Sequence, residues 1–384
     1  MAFTGKATYS AGSALPEIAE DVADIISMVS PFETPLLNAL GDPLYAARST
    51  HHEWIEDSLL PNKDAINDSN FTDPAADTDF DVDNGDRFQV GDQIQVAGSE
   101  ELMLVTGLNG NTLTVVRGYA GTTAENLANN QVIHILGNAA LEGADKPQVR
   151  FTNRVRKGNY AQIFTAAVEV SGSELAVRQA SLADELDYQK QLRLRELLRD
   201  LESTVINGGQ PSASPEGSGM VRRTLKGILS HIATHIFYPG DTGFPSGNDL
   251  DEGKINYALR QIWESSSSRA DLIVVNGFQK RKINAFLTGV RAYGPDDRKY
   301  ADMVEEYESD YGKCKIIVSR WVPQDAVLLL DSSRILVLPL AGRSFHFKPL
   351  ASGGDYECGQ LIGEYTLELR NEEAHGYIRG LSAS

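Results

Sequence analysis

With 384 residues, 41% of them hydrophobic and 23% charged, the chain exceeds the roughly 250–300 residues at which one core usually divides, so two or three packed units are expected. Its 35 lysines and arginines against 53 aspartates and glutamates give a net charge of −18, which excludes a surface built throughout to grip phosphate. No apolar run reaches the roughly 18 residues of a membrane-spanning helix, and the N-terminus lacks the basic-then-apolar pattern of a signal peptide, so a cytoplasmic chain with its two cysteines, Cys314 and Cys358, reduced is expected.

Residues 1–60 contain one amphipathic piece at 15–29, closed by Ser30-Pro31, and a shorter piece broken at Gly41-Asp42-Pro43. Such punctuation predicts an arm that lies across something else. Residues 61–86 are rich in Asp, Asn, Ala and Pro and poor in apolar side chains, which predicts an acidic linker unable to offset its ordering entropy by burial. From 87 to 136 short β runs return: Phe88-Gln89-Val90, Gln93-Ile94-Gln95-Val96, Leu102-Met103-Leu104-Val105 and Thr112-Leu113-Thr114-Val115-Val116. Asn109-Gly110 between the last two suits a tight hairpin turn with positive φ. The expectation is a small barrel-like β module inserted into a larger fold.

Residues 137–175 predict an extended loop, read as a hairpin over 146–175, in which Arg150, Arg154, Arg156 and Lys157 precede a β-prone stretch beginning at Asn159. Ser181 then caps a predicted helix over 181–206, with Asp184 and Glu185 in its first turn and Asn207-Gly208-Gly209 as a left-handed C-terminal cap. Leu186, Leu194, Leu197, Leu198, Leu201 and Val205 share one buried stripe, while Arg193, Arg195, Glu196, Arg199, Asp200 and Glu202 occupy the other faces. Those charges read either as a solvated surface or as contact with a neighbouring subunit. After a Gly/Ser/Pro loop, 256–264 and 279–287 predict helices, and 272–275, 315–318, 327–330 and 335–338 predict central strands of one covered sheet. The alternating stretch 361–369 is expected to return as a strand to the region of the long helix.

No constellation for catalysis stands out, since the chain lacks a nucleophile elbow, a phosphate-binding Gly-Lys-Ser/Thr loop and a dinucleotide fingerprint. His231 and His235 are four apart, as a helical metal pair would be, but position 232 lacks the glutamate of a metalloprotease motif and no cysteine cluster supplies further ligands, so packing or surface histidines are expected. His51-His52-Glu53 reads as a structural turn beside Trp54. Asp79-Phe80-Asp81-Val82-Asp83-Asn84-Gly85 is spaced like a calcium loop, yet its glycine comes one position late and Val90 fills the slot of the bidentate glutamate. No metal, cofactor or catalytic residue is therefore expected.

Three segments, taken in order, carry a resemblance: 21–36 with its Ser30-Pro31 and Thr34-Pro35 breaks, His52-Glu53-Trp54 before the acidic stretch, and Gly363-Glu364-Tyr365-Thr366-Leu367-Glu368-Leu369-Arg370-Asn371-Glu372-Glu373-Ala374-His375. With the series of arm, extended basic loop, long helix, α+β domain and C-terminal strand, the chain resembles major capsid proteins of tailed double-stranded DNA phages. That resemblance implies the α+β Hong Kong ninety-seven type capsid fold, shared with herpesvirus floors and encapsulins, carrying here an inserted all-β domain. It implies an N-terminal arm at 1–60, an extended loop at 137–175, a peripheral domain with a spine helix at 176–220 and 346–384, and an axial domain at 221–345. The implied function is structural: self-assembly through pentamers and hexamers into an icosahedral virion shell around phage DNA, assembled in the host cytoplasm. The alternative is an encapsulin-like compartment storing a cargo enzyme. Implied partners are further copies of the chain, portal and scaffolding proteins, a decoration protein, and packaged double-stranded DNA held by weak non-specific contact, with no membrane. Arg150, Arg154, Arg156, Lys157, Asn159, Arg193, Arg195 and Arg199 are the expected inter-subunit contacts.

Overall fold

The computed structural model describes residues 33–147, 149–176, 185–267, 269–288, 306–351 and 353–383. The arm piece at 15–29, Ser181 and Asp184 lie outside the described residues. The chain separates into two compact units, one formed by residues 55–156 and the other by the chain up to 54 together with 157–384. In the latter, α1 (Pro35–Leu40) starts on a proline, whose fixed φ and missing N–H suit a first turn, and stops at Gly41 with φ 72°. The expected turn at His51-His52-Glu53 is instead the start of strand β1 (His51–Glu56).

The unit formed by residues 55–156 contains β2 (Lys63–Ala65), β3 (Asp79–Asp81), β4 (Asp92–Val96), β5 (Leu102–Asn109), β6 (Thr112–Val116) and β7 (Val132–Asn138), in the order β2-β7-β4-β5-β6-β3. An antiparallel bridge between Ile66 and Val82 joins the two outer strands and closes the sheet into a barrel. Burial alternates strictly along β4 and β6, and the inward set, including Ile94, Val96, Met103, Leu113 and Val115, forms a core of its own. The stretch 61–86, expected as a linker, supplies β2, β3 and three core side chains, Ile66, Phe80 and Val82. Few apolar residues suffice there because each falls on an inward position of a paired strand. Phe88-Gln89-Val90 is not a strand; it follows a 3-10 turn at Gly85–Arg87, and Phe88 is a core plug.

At the β5–β6 turn Gly110 takes φ 60° as the first of two linking residues, as the sequence predicted. Gly85 packs against that turn so closely that a Cβ would overlap the Gly110 carbonyl oxygen, and its N–H donates to Asn111 Oδ1 at 3.0 Å. Gly85→Ala should therefore force two backbones apart and destabilise the barrel by about 2–3 kcal/mol. Denaturant unfolding of the variant checks this, and a loss under about 0.5 kcal/mol, the range of surface changes, would show that the turn yields freely.

Beyond residue 154 come β8 (Val155–Tyr160), β9 (Gln162–Ser171), α2 (Gly172–Ala176), α3 (Glu185–Asn207), α4 (Ile228–His231) and β10 (Ile236–Phe237). They are followed by α5 (Glu252–Ser265), β11 (Leu272–Val275), α6 (Gly277–Thr288), β12 (Glu306–Ser309), β13 (Gly312–Val318) and β14 (Val327–Leu330). The last strands are β15 (Ile335–Pro339), β16 (His346–Leu350), β17 (Tyr356–Leu369) and β18 (Gly376–Ile378). The expected hairpin over 146–175 does not form, because β8 pairs with β1 and β9 with β17. Only Ala161 separates the two strands, too little chain to reverse direction, and its N–H is engaged by the Thr50 carbonyl at 2.8 Å.

One mixed sheet runs β10-β18-β14-β11-β13-β12, with β11 and β13 parallel and β11 and β14 antiparallel. Every residue of β11 and β14 is buried, as a doubly covered sheet requires. Along β11 the faces alternate: Leu272 and Val274 join the core of Leu197, Leu201, Val205 and Ile206 from α3, while Ile273 and Val275 join that of Ile255, Leu259 and Ile262 from α5 and Ile283 from α6. The 335–338 run, expected in this sheet, belongs instead to a second one in which β17 pairs with β9 along one edge and with β16 and β15 along the other. Its place among the central strands is taken by β18. Strand β17 does return to α3, with Leu361, Leu367 and Leu369 in the same core.

Helix α3 departs from its predicted stripe. Burial is concentrated in its C-terminal half, where Leu197, Leu201, Val205 and Ile206 are accompanied by Glu202, which the periodicity had placed on a charged face. Leu186, Leu194 and Leu198 are half-buried. Gly208 and Gly209 do not adopt the expected left-handed cap. Gly208 serves packing, since a Cβ there would press on the Leu225 carbonyl oxygen at 2.8 Å.

Candidate functional site

The predicted contact residues divide between surface and interior. Arg150, Arg154, Arg156 and Lys157 are all exposed along one extended limb. Arg150 Nη1 donates to the Arg87 carbonyl at 2.9 Å, and Arg154 Nε stands 3.6 Å from Asp57 Oδ2. On α3, Arg193 pairs with Glu196 at 2.6 Å and Arg199 with Asp200 at 3.2 Å, while Arg195 is exposed. Such surface pairs contribute about 0–1 kcal/mol each, so these arginines remain available to a partner at small cost.

Asn159 is not available. It is fully buried, with Nδ2 donating to the carbonyls of Lys226 at 2.9 Å and Leu367 at 2.8 Å, and Oδ1 accepting from the N–H groups of Lys226 and Tyr160. Its amide satisfies backbone groups of a segment and a strand that do not pair with β8, so its role is internal and the expected inter-subunit contact at this position is withdrawn.

Two of the segments that carried the resemblance meet in space. Glu368 on β17 is 1% exposed at its side chain and accepts from Tyr45 Oη at 2.8 Å, lies 2.6 Å from His52 Nε2, and pairs with Arg370. Burial raises its pKa, but hydrogen bonds from His52, Tyr45 and Arg370 win and hold it down to about 2. Four residues earlier, Glu364 is clasped by Arg223 and by Arg343 at 2.8 Å, and Arg223 Nε also donates to the Ala161 carbonyl at 2.5 Å. The C-terminal motif is thus a buried ion-pair hub. Glu364 and Glu368, two strand repeats apart on the face opposite Leu361, Leu367 and Leu369, were its visible signal.

The same logic recurs at two sites the sequence did not reveal. Glu202, fully buried, accepts the N–H groups of Leu36 at 3.1 Å and Leu37 at 3.0 Å, the orphan donors of the α1 first turn, and the Ser319 hydroxyl at 3.0 Å. In the barrel, Arg117 makes a two-pronged pair with Glu101, 2.8 Å at each prong, and the N–H groups of Gly118 and Glu125 complete the carboxylate. Burial acts against ionisation of Glu101, yet these donors leave its pKa lowered.

His231 ends α4 and His235 precedes β10, so the pair does not share a helical face. His235 stacks on Phe237 and reaches Ser265 Oγ at 2.7 Å. Among the described residues, no group of three or more His, Cys, Asp or Glu is placed to hold a metal. The calcium-like spacing belongs to strand β3 instead: Asp79 Oδ1 accepts from Thr114 Oγ1 at 2.5 Å and Asp81 Oδ1 from Thr112 Oγ1 at 2.6 Å, across the ladder to β6. A cleft of about 1000 Å³ beside β9 is lined by residues 216–224, but its Arg223 is spent on Glu364 and Ala161 and faces no acid–base pair.

A family model described as SU10 major capsid protein matches residues 3–382. The chain is similar to the major capsid protein of Escherichia phage Phieco32, 24% identical over 348 residues that cover 77% of this chain and 94% of that protein. Among solved structures it is similar to the capsid of a native GTA particle, with a TM-score of 0.53, 9% identity, and coverage of 99% of this chain and 100% of that one. It is also similar to Microbacterium phage Oxtober96, with a TM-score of 0.51, 13% identity, and coverage of 94% and 95%. At such identities the structural likeness is one of fold.

Proposed function

The chain belongs to the SU10 major capsid protein family, with the Hong Kong ninety-seven type capsid fold, and is a structural subunit of a tailed-phage head shell; from that premise we propose how it builds the shell. Copies join as pentamers and hexamers that close an icosahedral shell around double-stranded DNA, assembled in the host cytoplasm with portal and scaffolding proteins and finished with a decoration protein. In this reading α3 is the spine of the peripheral domain, the six-stranded sheet with α5 and α6 is the axial domain, and the limb running through Arg150, Arg154, Arg156 and Lys157 is the extended loop that reaches a neighbour. The subunit acts by geometry and carries out no catalysis.

The observation that carries the reading is the match of the family model along 3–382, nearly the whole chain. The net charge of −18 supports a wall that holds DNA only weakly, so the genome slides during loading. A cargo-storing compartment has no comparable support, because the family model and the curated relative are both major capsid proteins. Electron microscopy of the purified chain, alone and coexpressed with neighbouring genes, tests the proposal. Closed shells, or rings of five and six, are the expected result, and a monodisperse monomer under both conditions would overturn it.

Charge reversal of Arg150, Arg154, Arg156 and Lys157 together to glutamate should lower shell yield at least about tenfold and leave the thermal midpoint of the subunit nearly unchanged. These side chains are exposed, so they steer association more than they hold the fold. Sedimentation of assembled against free subunit measures the effect, and an unaltered shell fraction would remove the limb from the contact.

A further inference from the structure

The unit formed by residues 55–156 exposes more apolar surface than a solvated barrel needs. Eleven of the twenty large apolar side chains exposed among the described residues lie in it. The sharpest group is on the limb after Asp145. Arg150 donates to the Arg87 carbonyl, and Thr152 and Arg154 reach Asp57, all at the surface, while Val149, Phe151 and Val155 beside them are 76%, 78% and 51% exposed. A segment tied to its own unit by these surface contacts, with its apolar side chains uncovered, loses less conformational entropy on docking than a free one. Val149 and Phe151 border a groove of about 360 Å³ whose floor includes Phe88 and Leu108.

Charge identifies what covers it. Residues 55–156 hold 16 carboxylates and 7 lysines or arginines, a net −9 that is half of the chain's −18. The distribution is lopsided: residues 68–86 contain seven aspartates and no lysine or arginine, whereas the limb after Asp145 contains Lys146, Arg150, Arg154 and Arg156 and no acid. Asp79, Asp81, Asp83 and Asp86 are exposed, and among the described residues none of them pairs with a basic side chain. A cationic apolar limb and an unneutralised acidic flank on one unit are complementary between copies. A pairing of unlike patches is heterologous, the type that propagates around a ring.

We propose that the limb 149–156 of one copy docks on the acidic flank around β3 of the barrel of a second copy, with Arg154 and Arg156 facing the aspartates and Val149, Phe151 and Val155 covered beside them. This rests on the reading as a shell subunit. Each subunit would then be linked to its neighbour through the inserted barrels as well as through the capsid fold proper.

The test places a photo-crosslinking phenylalanine analogue at position 151 in shells grown from equal amounts of isotopically light and heavy subunit, followed by mass spectrometry. Phe151 is exposed, so the substitution leaves the fold in place. The expected result is cross-linked peptide pairs of mixed isotope joining position 151 to residues 73–86. Products within one copy, products with another region of a second copy, or a cross-link to a different protein would each overturn the proposal. A charge-swap pair gives a second readout: Asp79→Lys with Asp81→Lys and Asp83→Lys should cut shell yield at least about fivefold, and adding Arg154→Glu and Arg156→Glu should recover most of it. Absence of recovery would also overturn the pairing. Failure of the unmodified chain to form any shell would instead strike the underlying functional reading.

Discussion

Acidifying the subunit from pH 7.5 to 4.5 is expected to remove on the order of 5 kcal/mol of folding stability, through the buried imidazole of His375 and the half-buried one of His231. His375 is fully buried, and its Nδ1 accepts the Asp331 N–H at 3.1 Å, which places the proton on Nε2. His231 is half-buried, with Nε2 buried and unpartnered among the described residues. Burial is the first cause in both, and it pushes each pKa down from 6.5 to about 4. For His231, Lys226, Lys157 and His375 add to the depression and Glu372 opposes it. For His375, Asp331, a backbone hydrogen bond with Arg370 and Asp271 oppose, while Arg334 adds.

The unfolded chain binds a proton at each histidine below about 6.5, whereas the folded subunit keeps both neutral until about 4. Stability is therefore complete above 6.5, falls as pH drops through this window, and levels off near 4. Each pKa unit is worth about 1.4 kcal/mol, which gives the quoted sum for the pair. Carboxylates with lowered pKa, Glu368 to about 2 with Glu101 and Glu372, contribute stability that is present above about 4.5 and lost only below it. Glu202, raised by burial, acts in the opposite sense and gains from acid. Denaturant unfolding across this range, for the natural chain and for His231→Gln with His375→Gln, measures the effect. The double variant should lose less than half as much, and a natural chain that changes by under about 1 kcal/mol would refute the account.

Glu202→Ala should cost about 3–5 kcal/mol, most of it in the attachment of α1. The substitution leaves the N–H groups of Leu36 and Leu37 and the Ser319 hydroxyl without their acceptor in a buried place and opens a cavity beside them. Burial raises the Glu202 pKa and the three donors work against that rise, so the site is held mainly by hydrogen bonding. Glu202→Gln should cost about half as much, since one amide oxygen can still accept while the amide nitrogen opposes a second N–H donor. Amide hydrogen exchange at Leu36 and Leu37 gives the local readout: protection should collapse in the alanine variant at conditions where the β11 and β14 amides stay protected. Unchanged protection at Leu36, with a global loss under about 1 kcal/mol, would mean that α1 is held by packing of Leu36 alone.

Much of the fold was legible because periodicity reports burial directly. The strand runs at 272–275 and 327–330 are apolar at every position, as a sheet covered on both faces demands, and both are buried at every residue. The turn at Gly110 was legible because a positive φ leaves glycine as the residue without steric cost. The acidic stretch 61–86 was misread because composition averages over positions. Its few apolar residues, Ile66, Phe80 and Val82, each fall inward on paired backbone, and the averaged hydropathy conceals that register.

Among the surface candidates, the exposed arginines were readable as exposed, since charged side chains seldom bury without partners. Asn159 and Glu202 were not readable, because an amide and a carboxylate look identical in sequence whether water or a distant backbone satisfies them. Their partners lie 67 and 208 residues away for Asn159, and 165 and 166 residues away for Glu202.

What the sequence determined by itself was local and ordered: the long helix, the strand-rich module, the apolar strands and the series of weak motifs whose order pointed to a capsid subunit. Those follow from side-chain period and backbone preference, which act within a few residues. Only the tertiary structure decided which strands are neighbours, so that β8 and β9 part to different sheets and β18 enters between β10 and β14. It also decided which charges go inside, bringing His52 to Glu368 across 316 residues. Pairing between strands is a contest among many similar backbone edges, and it is settled by the packing of the whole core.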